Sequence, residues 1–321
     1  MNDQLQVPDV ITAGEAMALL IARQPGALSR VSEFERATAG AELNVAVGLR
    51  RLGFNVGYIS SLGADSLGRN LAEFMEAEGI DRRQLRIDAR YPTGFMLKSS
   101  TDDGSDPEVE YFRRGSAASH MSLADMPGGA FGAARLWHIT GILPALSHSC
   151  RELAFAMADA ARAAGRIVTF DPNLRPRLWP SQDAMIDTIN DLASRADVVM
   201  PGIAEGRLLT GREEPAAIAG FYLERGARKV VIKLGAQGAY YASEAGSGTV
   251  SGFRVPRVVD TVGAGDGFAV GVISALLEGL SLQDAALRGN AVGARVVQFR
   301  GDCEGLPNRA QLEQALAGER G

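Results

Sequence analysis

The chain is poor in the residues that metal centres and disulfide frameworks need. Its two cysteines, Cys150 and Cys303, stand far apart, and His120, His138 and His148 form neither an HExxH motif nor a spacing that matches a cysteine pair. No zinc site is expected. Lysine is confined to Lys98, Lys229 and Lys233, so arginine carries almost all the positive charge, and 33 basic against 38 acidic residues leave a net charge of −5. There is no basic excess to neutralise a nucleic-acid backbone or to coat an anionic membrane, which points to a small molecule as partner. Nowhere do about 18 apolar residues follow one another, and the first residues, MNDQLQVPDV, lack the basic start and apolar run of a signal peptide. A cytoplasmic protein is the expectation.

What is present is a long chain of 321 residues, 46% of them hydrophobic, with no Pro/Gly/Ser-rich linker to divide it. Such a chain buries a substantial core, and residues 1–321 are read as one unit. Short apolar runs at 9–13, 55–60, 135–140, 166–171, 197–200 and 229–234 read as buried strands. Between them, stretches at 41–53, 66–79, 149–165 and 181–195 carry helical periodicity, several opened by Ser and closed by Gly. The alternation predicts an α/β fold with a mostly parallel sheet between helices. Two segments break it: MALLIA with EFERAT, and GFMLKSS with EVEYFRR, each read as a β pair. Because such a sheet binds ligands beyond the carboxyl ends of its strands, these insertions, about 15–38 and 92–116, are read as a lid over the crevice.

The motif that carries chemistry is RVVDTVGAGDGFAVGVISALLEG, residues 257–279, read as strand, glycine-rich turn and helix, with Phe268, Val272, Ile273, Leu276 and Leu277 at helical spacing. The turn places the amides of residues 263–266 at a helix N-terminus, where they cradle an anion. Gly263, Ala264 and Gly265 form that cradle, and Asp266 beside it is the candidate general base, its ionised form favoured by the helix dipole. On residue type alone Asp266 is also an ordinary first-turn aspartate. There is no Gly-Lys dipeptide for a Walker A loop, and Phe268 breaks a GxGxxG reading of 263–268, which disfavours a nicotinamide dehydrogenase.

Taken together, DTVGAGDGF and AGAELNVAVGLRRLG (39–53), with Gly63 and Asp65 in SLGADSLG, resemble the two signatures of the ribokinase/PfkB carbohydrate kinases, in the expected order and about 220 residues apart. The resemblance implies a three-layer αβα sandwich with a small β lid, ATP with Mg²⁺, and transfer of the γ-phosphate to a sugar hydroxyl activated by Asp266. EYFRRGSAAS (110–119), LWHITGILPALS (136–147) and DPNLRPRLW (171–179) resemble the branch that acts on 2-keto-3-deoxygluconate. By that resemblance Gly40, Tyr111, Arg113, Ile142 and Arg175 contact the sugar acid, with Arg175 on its carboxylate, a pairing that suits a planar guanidinium. Read without it, Arg113, Arg114, Arg175 and Arg177 are equally solvated loop arginines. Lys233, Gly235 and Gly238 in VIKLGAQGAYY resemble the family's nucleotide-side hairpin, and Gly289 and Asn290 would flank the adenine. Glu205 would order water around Mg²⁺, or is a plain helix glutamate. The resemblance further implies a monovalent cation beside Asp260 and Thr261. Exposed lid strands present unpaired edges and apolar faces, so pairing of two lids in a homodimer or higher homo-oligomer is expected. Three departures stand out: Ala39 replaces the first Gly of a Gly-Gly pair, Met96 stands where an aromatic is usual, and Gly202 replaces Asn. A kinase for fructose, ribose or 5-keto-2-deoxygluconate, and a non-catalytic sugar sensor, are the alternative functions.

Overall fold

The computed structural model describes residues 7–100 and 107–317. Thirteen strands are formed there: β1 Val10–Ala13, β2 Met17–Pro25, β3 Phe34–Ala39, β4 Val56–Gly63, β5 Leu85–Asp88, β6 Phe95–Ser100, β7 Val109–Phe112, β8 Leu136–Thr140, β9 Ile167–Asp171, β10 Val198–Val199, β11 Lys229–Lys233, β12 Ala239–Ser243 and β13 Gly246–Val250. Nine make one sheet in the order β13-β12-β11-β10-β9-β8-β1-β4-β5. Every pair from β11 to β5 is parallel, and the β11/β12/β13 hairpins add an antiparallel edge.

The central strands are mostly buried because both faces are covered. One face packs under helices Ala41–Arg51, Ala264–Leu277 and Leu282–Val296, around Leu43, Tyr58, Val270 and Val292. The other packs against helices His148–Ala163, Gln182–Ala193 and Pro215–Leu223, around Phe170, Leu153, Ile189 and Tyr222. Side chains start the helices where the sequence supplies them: Asp65 accepts from the Gly68 amide, Ser147 from Cys150, Ser181 from Ala184 and Ser281 from Asp284.

The two predicted β pairs form, β2 with β3 and β6 with β7, and the parallel β2/β6 contact joins them into one four-stranded lid sheet, β3-β2-β6-β7. Residues 101–106, inside the segment assigned to the lid, lie outside the described residues, as do residues 1–6 at the start. The lid buries a small cluster of its own, Met17, Leu19, Ala39 and Met96. One predicted strand is absent: residues 257–260 run without a ladder, the amides of Val259 and Asp260 both donating to the Val297 carbonyl. A β-prone string is here held as a loop by the end of a helix.

The sheet changes direction at β1, with β4 and β5 on one side and β8 to β11 on the other. The carboxyl ends of β1, β8 and β9 therefore open a crevice at this switch point. Asp266 meets them there from the neighbouring helix.

Candidate active site

A cavity of about 260 Å³ occupies the crevice, lined from β1 by Glu15, from β8 by Ile142, from β9 by Asp171 and Asn173, and from the lid by Met17, Met96, Tyr111 and Arg113. A second, of about 380 Å³, lies behind it, with apolar walls from Phe253, Val255, Val258, Phe268 and Val297. The two share Lys233, Thr261 and Gly265. The start of helix Ala264–Leu277 is thus the partition between a polar chamber and an apolar slot.

Gly263 turns the chain into that helix with φ +81, and a Cβ there would meet the Asp302 carbonyl oxygen at 2.9 Å, so the turn requires glycine. Among the described residues the amides of Gly263, Gly265 and Asp266 have no backbone acceptor, whereas Ala264 leans to the Thr261 carbonyl at 3.4 Å. Three of the four amides at this turn are thus without a backbone acceptor among the described residues. Ala264 faces only the slot.

Asp266 is 8% exposed and its carboxylate is oriented by two amides: Asn44 Nδ2 donates to Oδ2 at 2.7 Å and Asn173 Nδ2 to Oδ1 at 3.3 Å. Burial pushes its pKa up to about 7, against the hydrogen bond from Asn44, and the negative charges of Asp171 and Asp302 push the same way. The helix dipole favours the ionised form and burial opposes it. A carboxyl that titrates near neutrality is suited to take a proton from an alcohol.

Asn44 is itself held. The Cys303 thiol donates to Asn44 Oδ1 at 3.0 Å, and Thr38, on lid strand β3, donates to Cys303 Sγ at 3.9 Å. Asn173 reaches Asp266 from a left-handed backbone, φ +38, that asparagine tolerates, with its own amide on Asp171 Oδ1. Sequence reasoning missed both asparagines, Asp171, Glu15 and Glu42. The available signal was polarity where an apolar residue was due: Glu42 and Asn44 are wholly buried in a helix start, and Asp171 closes a strand otherwise apolar.

The expected sugar contacts converge on the first cavity. Gly40, Tyr111, Arg113, Ile142 and Arg175 all line it. Gly40 stands at φ +134 with the Glu15 carbonyl oxygen 2.5 Å from where a Cβ would lie, so only a bare backbone fits. Tyr111 is exposed on the lid, with the Arg113 guanidinium over its ring. Arg113 is not a free cation: it is buried and donates through Nε and Nη2 to Glu15, which also accepts from Ser116. Arg175 donates to the carbonyls of Asn173 and Leu174 and has no carboxylate partner among the described residues.

On the nucleotide side, Lys233 Nζ binds both oxygens of Asp171 at 2.7 and 2.8 Å and projects between the two cavities. Gly235, Gly238 and Asn290 line the slot, and Asn290 Nδ2 ties the helix to the carbonyl of Ser251 at 3.0 Å. Gly289 does not flank it. A Cβ there would strike the Phe268 ring at 2.8 Å, so this glycine serves helix packing. Glu205 accepts from the Gly202 amide at 2.7 Å and the Leu174 amide at 2.8 Å, capping helix Ile203–Thr210 and fixing the 171–175 loop, with lone pairs left over for water. Asp260, expected beside a monovalent cation, is ion-paired to Lys98 instead.

For Mg²⁺ the available donors are hard carboxylate oxygens. Of those lining the first cavity, Asp171 sits beside the lysine that reaches both chambers, and no cluster of three metal-binding side chains occurs among the described residues. That composition fits a cation carried largely by a nucleotide's phosphates.

A family model described as "pfkB family carbohydrate kinase" matches residues 7–309. The chain is 50% identical to the 2-dehydro-3-deoxygluconokinase of Bacillus subtilis over 97% of this chain and 96% of that one. Among solved structures, the PfkB protein of Polaromonas sp. JS666 superposes with a TM-score of 0.89 at 54% identity, covering 95% of this chain and 99% of that one. A putative ribokinase II of E. coli in complex with ATP and Mg²⁺ gives 0.89 at 25% identity, covering 97% and 99%. No helix among the described residues is long and apolar enough to cross a membrane. The partitioned crevice, its buried aspartate and these matches agree: the chain belongs to the pfkB family of carbohydrate kinases.

Proposed function

We propose that the protein is an ATP-dependent kinase that phosphorylates the 6-hydroxyl of 2-keto-3-deoxygluconate, a one-domain enzyme whose lid sheet covers the sugar. The observation that carries the reading is Asp266, a buried carboxyl titrating near neutrality at the one helix N-terminus that separates two cavities. The sugar acid takes the polar chamber with its terminal hydroxyl on Asp266, and the nucleotide takes the apolar slot with its γ-phosphate at the amides of Gly263, Gly265 and Asp266. Asp266 accepts the hydroxyl proton, the sugar oxygen forms a bond to phosphorus, and the bond to the β-phosphate oxygen breaks to release ADP. The amides and Lys233 stabilise charge on the transferring group, one such donor being worth about 2.7–4 kcal/mol. Mg²⁺ bound with the nucleotide would neutralise phosphate charge, and Asp171 together with Glu205, acting through water, are the carboxylates that would hold it.

A sugar acid is favoured over fructose or ribose by Arg175, which lines the chamber and has no carboxylate partner among the described residues, and by the name of the Bacillus subtilis relative. Arg113, neutralised by Glu15, acts through shape and hydrogen bonding rather than net charge. Such an enzyme works in the cytoplasm, where ATP is supplied. The test is ADP release with ATP·Mg²⁺ and a panel of acceptors: 2-keto-3-deoxygluconate is the best substrate by kcat/KM. A preference for fructose or ribose refutes the sugar-acid assignment, and no turnover with any acceptor despite sugar binding leaves a sensor.

A further inference from the structure

Lys98 lies on lid strand β6, two residues from Met96 and therefore on the same face of the lid sheet. Met96 points into the sugar chamber; Lys98 passes beyond it into the core, 2% exposed. Its ammonium is ion-paired to Asp260 and lies 3.5 Å from Asp302 Oδ1, and both carboxylates are themselves buried. These two acids frame the anion cradle. Asp260 Oδ1 accepts from the Val262 amide at 3.0 Å, and the Asp302 backbone is the surface against which Gly263 turns. Two buried carboxylates facing one another cannot both stay ionised without a cation between them. Here the chain supplies it. The residues therefore do not fit the exchangeable monovalent cation that the family resemblance led us to expect beside Asp260.

We propose that Lys98 is a built-in cation for the phosphate cradle: an ammonium carried by the lid that joins Asp260 to Asp302, sets the backbone of 260–265, and leaves the enzyme independent of potassium. Lys98 touches neither sugar nor nucleotide, so it is a positioning residue acting through the two aspartates. It also gives the lid a second task, since the strand that covers the sugar also holds the cradle that meets the phosphate.

The wild-type protein is assayed in potassium, sodium and tetramethylammonium buffers of equal ionic strength, with melting temperature followed in parallel. Its kcat and its KM for ATP are expected to agree within about twofold across the three. Lys98→Ala leaves a cavity between two carboxylates, so in tetramethylammonium its kcat is expected to drop by at least about tenfold. Potassium or ammonium ions should restore part of the loss saturably, and should raise the melting temperature of this variant and not that of the wild type. Lys98→Arg keeps a charge and should remain potassium-independent.

Strong stimulation of the wild type by potassium overturns the proposal. So does a folded Lys98→Ala that potassium affects in neither rate nor melting. If Lys98→Ala does not fold, the wild-type comparison and Lys98→Arg still decide. The rate measurements rest on the kinase reading, but the melting measurements do not, so an error in the substrate leaves the potassium test standing.

Discussion

Asn44 offers the sharpest test of how the site sets its base. It is 1% exposed, its amide lies 2.7 Å from Asp266 Oδ2, and the substitution Asn44→Leu keeps the branched shape and heavy-atom number of the side chain while deleting the donor. A hydrogen bond to a charged group is worth about 1.5–3 kcal/mol, and about 1.4 kcal/mol corresponds to one pH unit. Losing the bond disfavours the ionised form, so the acid limb of kcat/KM, which reports the free enzyme, should move up by roughly one to two pH units. With Asp266 at about 7 in the native protein, half the molecules carry the base at pH 7. In the variant that fraction falls to roughly 1–10%, a loss of about 5- to 50-fold at pH 7 that largely disappears by pH 9. The assay is ADP release under kcat/KM conditions from pH 5.5 to 9.5 with Mg²⁺ in excess, in both proteins. Each sees the same titration of the nucleotide, so the displacement between the curves isolates the protein. Equal depression at every pH would mean that Asn44 only packs, and an unmoved curve would remove Asp266 as the base.

Asp266→Asn should lower kcat by about 10²–10⁴, the range for losing a general base. It should also stabilise the protein at alkaline pH. A carboxyl with a folded pKa above its unfolded value binds more protons folded than unfolded between about pH 4 and 7, so its contribution falls as pH rises through that window, by up to about 4 kcal/mol. The melting temperature of Asp266→Asn should therefore exceed that of the wild type by several degrees at pH 8 and converge with it near pH 4; a constant gap would contradict the buried titration. Arg175→Ala should raise KM for the sugar acid by one to two orders of magnitude, on the order of 1.5–3 kcal/mol, with kcat nearly unchanged; little change in KM would favour a neutral sugar. Gly265→Ala puts a methyl into open space, its nearest neighbour Lys233 Nζ at 3.7 Å, so melting should stay within about 1 °C while turnover falls as the methyl displaces phosphate. For the proposed lid-to-lid homodimer, the exposed Tyr111 and Phe112 on edge strand β7 are the surface to alter, and a monomer in sedimentation at micromolar concentration would end that idea.

The sequence carried the fold well because each strand and helix of the core announces itself locally. KVVIK and IVTFD carry apolar centres of strand length, four helices open on Ser or Asp caps, and the glycines at 263 and 265 mark a helix that begins at a cavity. What it hid are partners far apart in the chain. Asn44 meets Asp266 across 222 positions and Lys98 meets Asp302 across 204, and no periodicity encodes such contacts. Glu205 shows a second kind of hidden role: besides the metal chemistry its motif suggests, its carboxylate caps a helix and anchors the Leu174 amide. Residues 257–260 fail for a related reason, since β propensity is overridden when the Val297 carbonyl collects their amides.

The location of charge explains why one short loop can govern both substrates. Asp266, Asp302 and Glu42 are all pushed up towards neutrality by burial, to about 7, about 6 and about 7. A site so acidic would repel a polyphosphate and a sugar acid alike unless each carboxylate were paired or protonated. The chain meets that need residue by residue: Lys233 takes Asp171, Arg113 takes Glu15, Lys98 takes Asp260 and faces Asp302, and Thr140 donates to Glu42. Among the described residues Asp266 and Glu42 are bound by neutral groups: Asp266 by the amides of Asn44 and Asn173, Glu42 by the Thr140 hydroxyl. Of these two, Asp266 stands at the helix start that separates the cavities, where it can exchange a proton with a ligand. Replacing either asparagine with a cation would, by holding Asp266 ionised at too low a pKa, weaken it as a base.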